Sequence, residues 1–477
     1  MKRFIGTTFL WAGVAILTNA QSINYNDVIV LANSEDSISM QIATYFAQQR
    51  GIVASHVITF PMPSDETING YQFDSLRQAL DSVITARNLR DSFAYIVTTK
   101  GMPLRISVDT LTYYAGQPYG PFNASVESEL ALMFSPQLAS YVGDSLAVLN
   151  PYYGSTAPFN PSNNLGIRLV TRLDGYTYAD VIRLIDSSGP NQPVDKSSAV
   201  IVIDRDPVWD SLLTNFYLTY YSDTDTLWDD YYDSAVSALI ADGWSVIYDK
   251  TTSYLTQQSE VIAYNSWGSN DYSFGPARND TSAVPNHQWA RGALSVWYVS
   301  TSGRSFTPGT PYGQSLVADL INEGVSGTVG HVFEPFFGAM PALDKVFPNY
   351  LRSDRYLNLA EAFYSSIRWL SWMSVVIGDP KTSVMTTVTG KSFELSSTPH
   401  FSIFPNPVRR VMVLTGRGVQ SGGLLEVYDI RGQRIRQIPI QTNHYSRIAL
   451  TSLPKGFYFA RLITPTGNYA VQSFVKQ

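Results

Sequence analysis

Short apolar runs alternate with amphipathic stretches of helical length, and this alternation restricts the fold more than any other feature of the chain. Residues 27–32, 57–59 and 93–97 are apolar runs of strand length, whereas residues 37–50 and 73–88 have the apolar spacing of helices that bury one face. The order strand, helix, strand, helix, strand is typical of a parallel sheet. We therefore predict an α/β body with a mainly parallel sheet.

A long segment without clear periodicity interrupts this alternation. Residues 106–165 contain several prolines and paired tyrosines, and we predict that they form a loop-rich insertion. Insertions of this length in a compact domain are usually functional or cover the domain. The alternation resumes at residues 169–175 and continues to residues 375–380, so we assign residues 21–395 to one body.

Two apolar runs of the body end abruptly in polar turns that contain glycine. Residues 261–266 lead into Trp267-Gly268-Ser269-Asn270-Asp271, and residues 294–299 lead into Ser300-Thr301-Ser302-Gly303. The carboxyl ends of the strands carry the functional groups of open α/β sheets, so we expect the two turns to form one crevice. The candidate ligand-binding residues are polar or aromatic groups at predicted strand ends: Ser266, Trp267, Ser269, Asn270, Lys100 and Arg172.

The chain has no cysteine. Disulfides, thiolate zinc sites and a cysteine nucleophile are therefore excluded. A hydroxyl nucleophile at Ser300, Thr301 or Ser302 would need a base within hydrogen-bonding distance. The candidate partners are His331, which ends a predicted strand, Glu334 close to it, and Asp271.

Cofactor binding has little support in the sequence, and we predict no cofactor. Asp204 and Asp206 could supply oxygen ligands to calcium, although no twelve-residue EF-hand loop surrounds them. No glycine-rich loop ending in Lys-Ser or Lys-Thr is present, and residues 1–399 carry 23 basic against 37 acidic residues. Nucleic acid is therefore not an expected partner.

The N-terminus has the pattern of an export signal. Met1-Lys2-Arg3 precedes an apolar run at residues 4–17, and Thr18-Asn19-Ala20 resembles a cleavage site. Residues 1–20 are therefore predicted to be a signal peptide.

The pattern changes after residue 400. Short alternating segments at residues 411–415, 424–428, 434–440 and 456–463 are separated by Gly, Asn and Pro turns, which predicts an all-β, immunoglobulin-like sandwich over residues 400–477. This region carries ten basic residues against two acidic ones, Glu426 and Asp429. Such a charge excess suggests contact with an anionic surface, and the alternative is a solvated basic face without a partner.

The motifs of this region resemble the C-terminal sorting domain of type IX secretion cargo. The resemblance rests on Phe404-Pro405-Asn406-Pro407, on residues 425–432, and on Leu453-Pro454-Lys455-Gly456-Phe457-Tyr458. It implies a Bacteroidetes-type bacterium and export through the periplasm to the medium or the outer-membrane surface. The implied partners are the type IX secretion machinery, its sorting peptidase and anionic lipopolysaccharide.

The body resembles a family of exported bacterial proteins that brings no established activity with it. This resemblance rests on Lys100-Gly101-Met102-Pro103 and on residues 264–271, 324–335 and 359–364. At a greater distance, Ser315-Leu316 and Gly378-Asp379-Pro380 resemble the order of motifs in gingipain-type, caspase-like cysteine peptidases.

The gingipain-type resemblance implies that Trp267 occupies the position of the catalytic His and Thr301 that of the catalytic Cys. An indole cannot accept a proton, and a threonine is a poor nucleophile without a base. We therefore expect a caspase-like body that binds a peptide or glycan without Cys–His proteolysis. The alternatives are a hydrolase that uses residues 300–302 with His331, Glu334 or Asp271, and a structural component of the cell surface.

Overall fold

The computed structural model describes residues 24–107, 112–114, 117–119, 124–136, 147–209, 229–274, 283–310, 313–335, 337–355, 357–387, 401–404, 406–415, 419, 421–441, 445–465 and 469–477. The predicted signal peptide lies outside these ranges. Among the described helices, none has the length and apolar character needed to cross a membrane.

The helices of the described residues lie in the first 366 residues. In chain order they are α1 Ser37–Arg50, α2 Gly70–Ala86, α3 Val126–Ala131, α4 Tyr178–Asp186, α5 Asp229–Ala241, α6 Val317–Glu323, α7 Leu343–Leu351 and α8 Leu359–Ser366.

Strands occur along the whole described chain. Those of residues 28–204 are β1 Val28–Asn33, β2 Val57–Phe60, β3 Thr67–Asn69, β4 Tyr95–Thr99, β5 Arg105–Ser107, β6 Thr112–Tyr114, β7 Gln117–Tyr119, β8 Ala124–Ser125, β9 Val148–Leu149, β10 Leu169–Leu173, β11 Gln192–Asp195 and β12 Val200–Asp204. Those of residues 245–387 are β13 Ser245–Asp249, β14 Val261–Ser266, β15 Trp289–Trp297, β16 Gly327–His331, β17 Trp369–Leu370, β18 Ser374–Gly378 and β19 Val384–Thr387. The C-terminal region contains β20 Ser402–Phe404, β21 Val411–Thr415, β22 Leu424–Tyr428, β23 Arg434–Pro439, β24 Tyr445–Ala449, β25 Gly456–Ile463 and β26 Tyr469–Lys476.

Ten strands form the central sheet of the body, in the order β13-β12-β14-β15-β16-β18-β10-β4-β1-β2. The chain is therefore an α/β protein with one large sheet. The strands from β13 to β16 run parallel to one another, and so do the strands from β18 to β2. The two halves meet at β16 and β18, which pair antiparallel with His331 opposite Ser374. The carboxyl ends of β14 and β15 consequently lie at the opposite end of the sheet from those of β4 and β10.

Helix α1 shows how the sequence fixes a local element. The Asp36 side chain accepts hydrogen bonds from the backbone N–H groups of Ile38 and Ser39, which caps the start of the helix. The helix ends at Gly51, whose φ of 64° is readily adopted by glycine. Ile42 and Phe46 lie one turn apart and are buried.

The region predicted as a loop-rich insertion contributes to the core. All six residues of α3 are buried, including Glu127 and Glu129. Beyond α3, residues 106–165 contribute only short strands and a single turn of 3-10 helix in their described parts. A six-residue helix has too few turns to show an apolar period, so the sequence pattern did not reveal it.

The C-terminal region is rich in strands and has its own core. Strands β20, β21 and β24 form one antiparallel sheet, and β23, β22, β25 and β26 form another. Apolar residues of both sheets make one cluster, which includes Met412, Leu425, Leu462 and Phe474. This cluster is separate from that of the body, which extends from Tyr25 to Val384.

Candidate functional site

The two polar turns predicted to share a crevice lie side by side. Strands β14 and β15 are parallel neighbours, with Ser266 opposite Trp297, so the segments that follow them leave the sheet at the same edge. The Asn270 side chain crosses between these segments and donates a hydrogen bond from Nδ2 to the Tyr298 carbonyl at 3.0 Å. The polar turns that follow β14 and β15 therefore form one shared polar edge.

A glutamine lies at the centre of this edge. The hydroxyls of Ser300 and Thr301 donate to Gln314 Oε1 at 3.2 and 2.8 Å, and Gln314 Nε2 donates to Asn270 Oδ1 at 3.4 Å. Ser300, Thr301 and Gln314 are each partly exposed, whereas Asn270 is buried. We call these four residues the amide-hydroxyl cluster. Its groups are neutral donors and acceptors, and those of Ser300, Thr301 and Gln314 are open to solvent.

Two buried serines fasten the cluster to the sheet. The Ser269 backbone N–H donates to Ser315 Oγ at 3.1 Å, and the Ser315 backbone N–H donates to Ser269 Oγ at 2.8 Å. Ser266 lies beneath them, and its Oγ accepts from the Gly268 backbone N–H at 3.1 Å. Since all three serines are buried, their hydroxyls hold the turn together and are not open to solvent.

The Trp267 ring packs into the body. It is 1% exposed and stacks on Trp209, with ring centroids 4.8 Å apart and an angle of 11° between the planes. Tyr298 contacts it edge-on at 5.3 Å. The Trp209 indole also donates to the Asn270 carbonyl at 2.6 Å, so the aromatic stack supports the amide-hydroxyl cluster from below.

His331 and Glu334, two of the candidate bases for a hydroxyl nucleophile, differ in their exposure to solvent. Ser302 and His331 are both fully buried, but no hydrogen bond joins these two side chains. Burial lowers the pKa of His331 to about 3, which keeps the imidazole neutral at physiological pH. Glu334 is exposed. The hydroxyls of Ser300 and Thr301 contact an amide, which cannot act as a general base.

Asp271 belongs to a group of buried aspartates. It accepts from the Ser273 backbone N–H and hydroxyl, and its Oδ2 has no hydrogen-bond partner among the described residues. Burial raises the pKa of Asp271, and the neighbouring charges of Asp206 and Asp249 raise it further. Burial likewise raises the pKa of Asp204 to about 7, with Asp271 as the largest charge contribution.

The calcium candidates have backbone partners. Asp204 Oδ2 accepts from the Leu255 N–H at 2.8 Å, and the two carboxylate oxygens of Asp206 accept from the Val208 and Tyr272 N–H groups. In the described part of the chain, no group of three or more His, Cys, Asp or Glu residues is arranged to hold a metal ion. Calcium binding at Asp204 and Asp206 stays a prediction.

Arg172 and Lys100 take part in a buried ionic network. Arg172 donates to Glu127 Oε1 at 2.7 Å and to Asp174 Oδ2 at 2.8 Å, and it also contacts the carbonyls of Met102 and Pro103. Lys100 Nζ donates to Asp174 Oδ1 at 3.2 Å and to the carbonyls of Gly175 and Phe306. No hydrogen bond connects either residue to the amide-hydroxyl cluster.

The segment after β15 links the two ends of the sheet. It runs back over β16, where the Gly303 N–H donates to the His331 carbonyl at 2.9 Å, and it reaches Lys100 at Phe306. Lys100 and Arg172 thus lie beside the continuation of the polar edge, not at the edge itself.

Sequence reasoning missed Gln314, Glu127 and Trp209. Gln314 directly precedes the predicted helix that begins at Ser315, and its place between a turn and a helix does not mark it as a partner of the polar edge. Glu127 lies in the segment predicted as loops. Trp209 could have been suspected only as one of nine tryptophans, since nothing in its neighbourhood marks it for stacking.

Comparison with known proteins identifies the C-terminal region. Residues 402–477 match the family model described as the secretion system C-terminal sorting domain, Por_Secre_tail. No curated protein sequence matches the chain.

Three solved structures are similar to the chain at low identity. The Arg-specific cysteine proteinase gingipain R (RgpB) is 10% identical over 96% of this chain and 99% of its own, with a TM-score of 0.41. A complex of the pro- and mature domains of Porphyromonas gingivalis RgpB is 10% identical over 94% of this chain and 100% of its own, with a TM-score of 0.39. PorZ, a surface component of the type IX secretion system of P. gingivalis, is 17% identical over 19% of this chain and 13% of its own, with a TM-score of 0.15. The C-terminal region is therefore similar to secretion system sorting domains, and it indicates export by a type IX secretion system to the cell surface or the exterior.

Proposed function

We propose that this protein is a cargo of type IX secretion that crosses the periplasm and presents a non-proteolytic, caspase-like binding domain at the cell surface or in the medium. The sorting peptidase of the secretion system would remove an immunoglobulin-like tail, and anionic lipopolysaccharide would be a contact of the exported protein. The ligand of the body is a peptide or a glycan.

The amide-hydroxyl cluster is the observation that carries the binding proposal. Its side chains at Asn270, Ser300, Thr301 and Gln314 come from the carboxyl ends of two adjacent parallel strands and from the segment before α6. This is the edge at which open α/β sheets bind ligands. Amide and hydroxyl groups can both donate and accept, so they match the backbone of a peptide and the hydroxyls of a sugar.

Among the described residues, no base is hydrogen-bonded to the hydroxyls of Ser300 and Thr301, and this supports binding over hydrolysis. Ser300 and Thr301 donate to an amide oxygen, and a nucleophilic hydroxyl instead needs a group that takes its proton. The Trp267 ring, at the position where the gingipain-type resemblance expects a catalytic His, is covered by Trp209 and Tyr298.

A binding screen tests the proposal directly. The purified mature protein is incubated with peptide and glycan arrays, together with Gln314→Ala and an exposed control, Gln72→Ala, whose side chain caps the start of α2. Loss of array signal in Gln314→Ala but not in Gln72→Ala is the expected result. An unchanged array signal in Gln314→Ala would show that the amide-hydroxyl cluster does not bind the ligand.

Hydrolysis is the second candidate because burial raises the pKa of Asp271 and, in the described part of the chain, one of its carboxylate oxygens has no hydrogen-bond partner. A fluorophosphonate probe distinguishes the two functions. Labelling of the mature protein that disappears in a variant at residues 300–302 would establish a hydrolase. A chain that neither binds an array ligand nor reacts with the probe would fit the remaining alternative, a structural surface component.

A further inference from the structure

The described residues that border one cavity of the C-terminal region are polar or basic. Its volume is about 910 Å³, and its lining consists of Arg409, Arg410, Thr451, Lys455, Lys476 and Gln477. Four of the six are arginine or lysine, and no acidic side chain is among them. We call it the basic cavity.

Backbone hydrogen bonds hold the walls of the basic cavity in place. The Val408 N–H donates to the Val475 carbonyl at 2.6 Å, and the Gln477 N–H returns a bond to the Val408 carbonyl at 2.9 Å. On the other side of the two arginines, the Leu450 N–H donates to the Arg410 carbonyl at 2.7 Å. Arg409 and Arg410 are therefore presented from a segment that is tied down at both ends.

The lysine wall is anchored in the core of the same region. The Tyr458 hydroxyl donates to the Pro454 carbonyl at 2.9 Å, directly before Lys455. The Tyr458 ring stacks on Phe474 with centroids 5.6 Å apart, and both rings are buried. The backbone that carries the basic side chains is therefore held in place before a ligand binds, and only the side chains themselves have to be ordered.

The C-terminal region has no acidic side chain left to neutralise the basic cavity. Its only two, Glu426 and Asp429, are engaged elsewhere. Glu426 pairs with Arg434 at 2.7 Å and with Arg461 at 3.9 Å, and Asp429 pairs with Arg431 at 3.1 Å. Lys476 Nζ donates to the Gln477 oxygen at 2.6 Å, and no acidic side chain is among the described lining residues, so the cavity keeps a positive excess.

We propose that the basic cavity is a binding site for a phosphate-bearing polar ligand of the sugar-phosphate type. A tetrahedral phosphate offers oxygens in several directions, so it can be approached by arginines and lysines from different walls, and the guanidinium fork pairs with it bidentately. The described lining residues present guanidinium, ammonium, hydroxyl and amide groups on short or aliphatic stems, so the charged ends decide which ligand is held. The site is open to solvent on one side, so a group attached to the phosphate, such as a sugar, can extend out of it.

A binding experiment on the full-length protein tests this site. The soluble probe is glucose 1,6-bisphosphate, and the membrane probe is phosphatidylcholine vesicles with or without lipopolysaccharide. A poly-glutamate peptide serves as the third arm. The variant Arg409→Gln/Arg410→Gln is compared with Arg431→Gln/Arg447→Gln, which removes the same charge from exposed positions outside the cavity.

We expect the cavity variant to bind at least about tenfold more weakly, a change of about 1.4 kcal/mol, and the control variant to stay within about twofold of wild type. Binding of the soluble probe would show that a free sugar phosphate is a ligand of the site. Binding of the lipopolysaccharide vesicles without binding of the soluble probe would show that the phosphate group has to be held in a membrane. The proposal is overturned by equal losses in both variants, by tighter binding of poly-glutamate than of either phosphate probe, or by no binding at all. Thermal unfolding of both variants checks that they fold, and none of these outcomes bears on the function proposed for the body.

Discussion

Buried charges are the most informative single residues of this protein. Arg172 is fully buried and its guanidinium is surrounded by two carboxylates and two carbonyls, so its cost of desolvation is offset by complete pairing. Asp204 is buried close to other aspartates. Its carboxylate accepts a hydrogen bond from the Leu255 backbone N–H, which carries no full charge. Removing the charge of Arg172 should therefore destabilise the body, whereas removing the charge of Asp204 should stabilise it.

Replacing Arg172 should destabilise the body strongly. Arg172→Met leaves Glu127 and Asp174 as buried carboxylates without their main partner, which costs about 3–5 kcal/mol. The unfolding midpoint in urea at pH 7 measures this loss. Arg431→Met is the matched control, because the Arg431 side chain is 78% exposed and its pair with Asp429 contributes at most about 1 kcal/mol. Similar midpoints for the two variants would contradict the role given to the buried network.

Replacing Asp204 should stabilise the body in a pH-dependent way. Its folded-state pKa of about 7 lies above its ordinary value near 4, so the folded protein retains a proton that the unfolded chain releases. Stability therefore falls as pH rises between these two values and stays lower above pH 7. Asp204→Asn cannot ionise and keeps an oxygen for the Leu255 N–H, so it should gain about 1–3 kcal/mol at pH 8 and less at pH 5.

Thermal unfolding at pH 5 and pH 8 checks this expectation. Asp91→Asn serves as the control because Asp91 is exposed, and it should change stability by less than about 0.5 kcal/mol at both pH values. A stability gain in Asp204→Asn that is the same at pH 5 and pH 8 would contradict the raised pKa.

At the scale of elements, two glycines allow the segment after β15 to lie on β16. A Cβ on Gly330 would stand 2.9 Å from the Gly303 Cα, and a Cβ on Gly303 would stand 3.0 Å from the His331 backbone nitrogen. The Val317 N–H also donates to the Ser302 carbonyl at 2.8 Å, which connects this segment to α6. The position of Ser300 and Thr301 thus depends on a close approach between backbones.

Adding a methyl group at this contact should disturb both stability and the site. Gly330→Ala is expected to destabilise the body by about 1–3 kcal/mol, because the neighbouring atoms belong to the backbone and cannot rotate away. It should also reduce any ligand binding that depends on Gln314. Gly338→Ala is the control, since a Cβ there meets no atom within 4 Å. The unfolding midpoints of both variants measure this effect. Equal midpoints would show that the close approach of Gly330 and Gly303 does not contribute to stability.

At the scale of the whole molecule, the C-terminal region and the body have separate apolar cores, with the sorting-domain match confined to the former. Each core joins strands of its own region. The sorting-domain match therefore falls on a region that has its own apolar core and that contacts the body between β21 and α5.

Removing the C-terminal region should abolish appearance at the cell surface. A chain truncated after residue 399 is expected to accumulate in the periplasm, as measured by cell fractionation and by protease treatment of intact cells. The reciprocal fusion of residues 1–20 and 400–477 to a reporter protein should deliver that reporter to the surface. Surface exposure of the truncated chain would refute the sorting function.

The sequence by itself determined several local elements and indicated export by a type IX secretion system. Helix α1 begins and ends at the predicted residues because Asp36 and Gly51 are local signals, and β21, β22 and β25 have the predicted bounds because alternation is a property of neighbouring residues. The sorting domain was recognised from its motifs and is confirmed by the family match. The absence of cysteine needed no structure at all.

Only the tertiary structure decided which of these elements meet. The antiparallel junction of β16 and β18, the burial of Glu127 against Arg172, and the contact of Gln314 with Asn270 all join residues that are distant in the chain. Periodicity specifies which face of an element is apolar, but the hydrogen bonds and ion pairs between elements depend on how the chain returns in space. The residue types of the polar edge could therefore be predicted from the sequence, whereas the contacts between its side chains depend on the tertiary structure.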